Sequence, residues 1–88
     1  MNKKDTEIKF PCRWEYRVIA IASEAEKSRA ALSLISAAEN VAFEITSGGV
    51  SGGGSYQALR VACEVASLEQ AHHLSALFSK AEGVKFVL

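Results

Sequence analysis

The amino-acid sequence predicts an α+β fold of element order β-α-β-β-α-β, laid out as two copies of one β-α-β unit. Three observations carry this. Ser23-Glu24-Ala25-Glu26 and Ser67-Leu68-Glu69-Gln70 both read as capping boxes, in which a serine caps the first helical turn and a Glu or Gln three residues on reaches back. The pattern A-E-x-V-x-F-x-(I/L) occurs twice, at Ala38–Ile45 and Ala81–Leu88. The offsets, 44 residues for the serines and 43 for the second pattern, nearly agree. Finally, the segments flanking each helix alternate apolar and polar residues with period two, as half-buried strands do.

Taken in order, the first strand sets Trp14, Tyr16, Val18 and Ala20 on one face and Arg13, Glu15 and Arg17 on the other. The first helix spans about 24–39 and is expected to bury Ala31, Leu34, Ile35 and Ala38, which recur at helical spacing. Asn40 stops it, because asparagine tolerates the left-handed backbone of a helix end. In the second strand Val41, Phe43 and Ile45 alternate with Ala42, Glu44 and Thr46. Gly48–Ser55, with five glycines in eight residues, is expected to be a flexible hairpin tip. In the third strand Leu59, Val61, Cys63 and Val65 face the core, and Ala58, Arg60, Ala62 and Glu64 face away. The second helix, about 68–82, buries Ala71, Leu74, Leu77, Phe78 and Ala81 and stops at Gly83. The last strand directs Val84, Phe86 and Leu88 inward and Lys85 and Val87 outward. Interleaving the two units gives a ferredoxin-like sandwich: a four-stranded antiparallel sheet with both helices on one face, the first and third strands central, the second and fourth at the edges. Residues 10–88 form this single domain, and residues 1–9 read as a disordered tail.

Ten basic and ten acidic side chains cancel, so the charge excess that drives phosphate binding is missing. The longest apolar run, Val18–Ala22, is five residues, far short of the ~20 that cross a bilayer. A polar N-terminus without an apolar signal core points to a cytoplasmic protein with no membrane partner. Cys12 and Cys63 form no C-x-x-C and read as free thiols, Cys63 as a small core hydrophobe.

The patterns that could carry chemistry fail one by one. The glycine-rich segment lacks the lysine and the helix that complete a phosphate loop, and Tyr56 opens a strand instead. The junction after the first strand, Ala22–Glu26, has two carboxylates where acylphosphatases of this architecture cradle phosphate, and no C-x-x-C for copper. Trp14 and Tyr16 share a face with Val18 and belong to the core, so they make no base-stacking platform. Adjacent His72 and His73 diverge by ~100° on a helix and make no two-ligand metal site; Glu69 sits within surface reach of His73. No metal, cofactor or catalytic group is expected. Arg13, Glu15, Arg17, Arg60 and Glu64 on the outer sheet face read as cross-strand ion pairs.

Phe10-Pro11-Cys12, followed by Trp14 and Tyr16-Arg17-Val18-Ile19, resembles the opening of the YbeD-like family, bacterial proteins of unassigned function. Gly54–Val61, Ser67–Gln70 and Val84–Leu88 are similar to its third strand, second helix start and C-terminal strand, so the resemblance spans about Phe10 to Leu88. It implies a ferredoxin-like fold similar to the ACT regulatory domains, and no catalytic residues. Ala20 stands where the family has glycine, and Glu24 and Glu26 lie beside the junction where ACT domains admit an amino acid.

The expected function is a non-catalytic regulatory or adaptor module, not an enzyme, that binds a protein or a second copy of itself through its sheet edges. A second reading is an ACT-like sensor of an amino acid or metabolite. A third, disfavoured by the charge balance, is RNA binding through Arg13, Arg17 and Arg60. The binding candidates are Arg17, Arg60, Tyr56, Gly53 and Gly54.

Overall fold

Alternating residues build strand β1 (Cys12–Ile21), which a single 3-10 turn (Ala22–Glu24) joins to helix α1 (Ala25–Glu39). Strands β2 (Glu44–Ser51) and β3 (Tyr56–Val65), helix α2 (Leu68–Ser79) and strand β4 (Val84–Val87) complete the chain. The computed structural model describes residues 9–88, so nearly all of the tail expected at 1–9 lies outside the described residues. The sheet order is β2-β3-β1-β4 with every pairing antiparallel, and the predicted central strands are the central strands.

The core lies between one sheet face and the two helices. Tyr16, Val18 and Ala20 of β1 and Leu59, Val61, Cys63 and Val65 of β3 meet Leu32 of α1 and Ala71, Leu74 and Phe78 of α2. Phe78 is fully buried, and Tyr16 and Phe43 each set a ring edge against it. Such perpendicular pairs add about 0.5–1.5 kcal/mol beyond area burial. The Tyr16 hydroxyl donates to the Ala71 carbonyl at 2.7 Å, which ties β1 to α2 and satisfies the only polar atom of a buried ring.

The two helix starts differ. Ser67 accepts from the Gln70 amide at 3.0 Å, and the Gln70 side chain reaches back to the Ala66 amide at 2.6 Å, so the second capping box forms. The first does not: Ser23 lies inside the 3-10 turn, and the α1 N-cap, Glu24, has no side-chain capping bond. Asn40 is left-handed at φ 58°, as expected. Gly83 is also left-handed, at φ 79°, but α2 has already ended at Ser79. Its lack of a Cβ also admits a close contact: a Cβ there would fall 2.5 Å from Ser28 Oγ.

That contact sets the rotation of α1. Ser28 is fully buried and donates to the Glu82 carbonyl at 2.6 Å. With Ser28 pinned, Leu32 and Ile35 follow into the core at helical spacing. The inward face expected from Ala31, Leu34, Ile35 and Ala38 is therefore turned, and Leu34 is 72% exposed.

Two bulges re-aim the sheet edges. Between Ser47 and Val50 the β2–β3 register slips by one residue at Gly48-Gly49. Gly48 and Gly49 are thus strand residues, and the turn itself is only Gly52–Ser55. The β1–β4 register slips at Lys85, between the Val84–Ala20 and Phe86–Ile19 pairs. An extra residue turns the rest of the strand to the other face. Val84 and Val87 pack on the core, and Phe86 and Leu88, expected inside, are 46% and 68% exposed.

Candidate functional site

The helices cover one face of the sheet, and among the described residues nothing covers the other. The odd residues of β1 and the even residues of β3 point there, opposite to the core set, and the pairing register arranges them in rows. Arg17 stands directly across from Arg60. On its other side, Arg17 and Leu88 exchange both backbone hydrogen bonds, at 3.2 and 2.8 Å. The next row runs Ala58, Ile19, Phe86. In the opposite direction the rows become charged: Glu44, Ala62 and Glu15, then Glu64 and Arg13.

Among the described residues, the ion pairs expected across this face form only at its charged end. Arg13 donates to Glu44 on β2 at 2.6 Å and lies 3.9 Å from Glu15, although Glu64 is its register partner. The hydrogen bond and charge of Glu44 hold the Arg13 guanidinium above its usual pKa. Arg29, on α1, donates to the Ile45 carbonyl and to Ser47. Arg17 and Arg60 differ from both. They face each other, so they cannot pair, and among the described residues neither makes a side-chain hydrogen bond or ion pair. Like charges directly opposite on a sheet are unfavourable.

Two surface depressions meet at this arginine pair. One, of about 330 Å³, is lined by Glu15, Tyr16, Arg17, Arg60 and Leu88. The other, of about 310 Å³, lies between the same arginines, Ile19, Ala58 and the backbone of the Gly48-Gly49 bulge. Gln57 holds that bulge by donating to the Gly48 carbonyl at 2.8 Å.

Of the five residues singled out by sequence, Arg17 and Arg60 come together at the centre of the open face. Tyr56 is the first residue of β3, across from Ile21, half-buried with its ring against Gly52. Gly53 and Gly54 are exposed at the hairpin tip, at φ 67° and 92°, away from the arginine pair, and the Gly54 amide donates to the Ser51 carbonyl across the turn. Sequence reasoning missed Ile19, Phe86 and Leu88, since it placed the last two in the core. His73 bonds Glu39 of α1 at 3.0 Å instead of the nearer-in-sequence Glu69. Cys63 is buried and Cys12 half-buried, both as free thiols. No described helix is long and apolar enough to cross a membrane.

A family model described as a protein of unknown function, DUF493, matches residues 5–88. It is the same family whose motifs the sequence resembles. Among solved structures the chain is similar to protein HP0495 of Helicobacter pylori, at 20% identity and TM-score 0.76, covering 100% of this chain and 94% of that one. A second solution structure of HP0495 aligns at 19% identity and TM-score 0.62, over 96% of this chain and 99% of that one. The C-terminal domain of MgtC from Mycobacterium tuberculosis aligns at 18% identity and TM-score 0.70, over 93% of this chain and 88% of that domain. At these identities the likeness is one of fold. No curated protein matches the chain.

Proposed function

The chain belongs to the DUF493 family, and on that premise we propose that it is a non-catalytic adaptor or regulatory module that binds a protein partner on its open sheet face. One observation carries the reading. Phe86 and Leu88, 46% and 68% exposed, stand beside the facing Arg17 and Arg60 on a sheet whose other side is packed. Exposed apolar side chains ringed by polar ones are what a protein-binding surface presents. The cationic centre of such a surface adds orientation, since arginine is enriched where interfaces concentrate binding energy. The site also sits on the two central strands, which hold side chains more rigidly than loops do. The sheet edges offered in the sequence become secondary, because each carries a bulge that interrupts the ladder needed for strand addition. The reading goes with a cytoplasmic location, where Cys12 and Cys63 would stay reduced.

Capture from the native cell, followed by light scattering of the purified chain, tests the proposal. The wild-type chain should retain a protein that Phe86→Ser loses while keeping its fold. Retention by both chains alike, or by neither, would remove the open face as the binding surface.

A further inference from the structure

Resting on the reading as a protein-binding module, a further step names the chemistry of the partner. We propose that the Arg17–Arg60 pair, with Ile19, Phe86 and Leu88 beside it, docks a partner segment that carries a carboxylate next to apolar side chains.

The charge pattern is the first argument. The chain has four arginines, and Arg13 and Arg29 each have hydrogen-bonding partners. Arg17 and Arg60 oppose each other across two central strands. A bound anion would turn this repulsion into attraction. Guanidinium groups match carboxylates in a planar, two-bond fork. The apolar residues are the second argument. Ile19 and Phe86 are paired neighbours one row from the arginines, and Leu88 is bonded to Arg17 in their own row. A ligand that covers them excludes water from the arginines and strengthens the charge interaction.

Shape favours an extended segment over a small molecule. Small ligands gain affinity in clefts that bury most of their surface. Here two depressions open to solvent meet at the arginines, so a segment lying across both is the occupant that fills them. A second copy of the chain fits poorly. A two-fold contact sets a patch against itself. That would gather the guanidiniums of both copies, with Glu15 as the acidic side chain that lines the depression. Nucleic acid fits poorly as well, because its run of phosphates would extend past the arginines over Glu15, Glu44 and Glu64, whereas a single carboxylate needs to reach only the arginine pair.

Selection of a random peptide display library on the full chain tests this directly. Enriched peptides should place Asp or Glu within a few residues of Leu, Ile or Phe. A synthetic copy should bind the wild-type chain and lose about tenfold or more in affinity to the Arg17→Gln/Arg60→Gln double variant, as loss of a charge-assisted bond predicts. The double variant should melt no lower than wild type, and Glu44→Gln should bind the peptide as wild type does. Enrichment of basic peptides, no enrichment at all, or unchanged affinity of the double variant would overturn the proposal. So would concentration-dependent dimerisation, or an RNA gel shift, that the same double variant abolishes. A captured partner lost by Phe86→Ser but kept by the double variant would defeat this inference alone and leave the module reading standing.

Discussion

Tyr16 shows how one residue joins layers of the molecule. Its ring lies in the core against Phe78, and its hydroxyl holds the Ala71 carbonyl of α2. Burial, with a smaller contribution from the neighbouring Cys63, pushes its pKa up to about 12. The unfolded phenol titrates near ~10, so between the two values only the unfolded chain has lost its proton. The Tyr16 contribution to stability is therefore whole below ~10 and is lost as pH rises toward about 12, by about 3 kcal/mol for a two-unit shift. Denaturant midpoints measured from pH 8 to 12 should show this decline, and Tyr16→Phe should flatten it. Burial also raises the Cys63 thiol, so Tyr16→Phe should keep a smaller slope of the same sign. An equal slope in both proteins would refute the assignment. Arg60 is a residue of the opposite kind, held against its own stability interest across from Arg17. Arg60→Thr should raise the melting temperature at low salt, with a smaller gain at 1 M salt, where the Debye length is ~3 Å. No gain at low salt would mean that the two guanidiniums do not repel each other.

Among the elements, β4 teaches the most. Read alone, Val84, Phe86 and Leu88 alternate perfectly and imply one buried face. The extra residue at Lys85 breaks that alternation. Val87→Ala should then cost about 1–2 kcal/mol, as truncation of a partly buried core residue does. Phe86→Ala should cost less than about 0.5 kcal/mol, the usual range for a surface change. Chemical denaturation of the pair decides between the two faces, and the reverse order would restore the face expected from alternation. Helix α1 makes the same point. Its composition offers alanines on several sides, so helical spacing alone cannot choose among them. Ser28 chooses, through its bond to the Glu82 carbonyl, and nothing in the local sequence marks it. Helix α2 was legible because its large residues, Leu74 and Phe78, leave one way to face inward. The arginine pair was half legible. Both residues were visible as outward-facing, but their opposition depends on which β3 residue meets which β1 residue.

For the whole molecule, the duplicated unit accounts for the order of elements and the central place of β1 and β3. It also makes the closing strand essential. Removing Val84–Leu88 takes Val84 and Val87 from the core and uncovers one edge of β1. A domain of this size has only about 5–10 kcal/mol to lose. The truncated chain should show no cooperative thermal transition by circular dichroism. An unchanged melting midpoint would mean that β4 contributes little to folding. The two copies are equal in topology and unequal in detail: one enters its helix through a 3-10 turn, the other through a formed capping box.

By itself the sequence determined the ferredoxin-like order, the inward faces of β1, β3 and α2, and the outward place of Arg17 and Arg60. Period-two alternation, helical spacing and caps are local signals, written within a few residues of the structure they control. Only the tertiary structure decided the rotation of α1, the side to which Phe86 and Leu88 point, and the meeting of Arg17 with Arg60. Bulges, cross-strand register and the close approach at Gly83 arise between segments far apart in the chain. Local pattern cannot encode them, and they are what gather Arg17, Arg60, Phe86 and Leu88 on one sheet face.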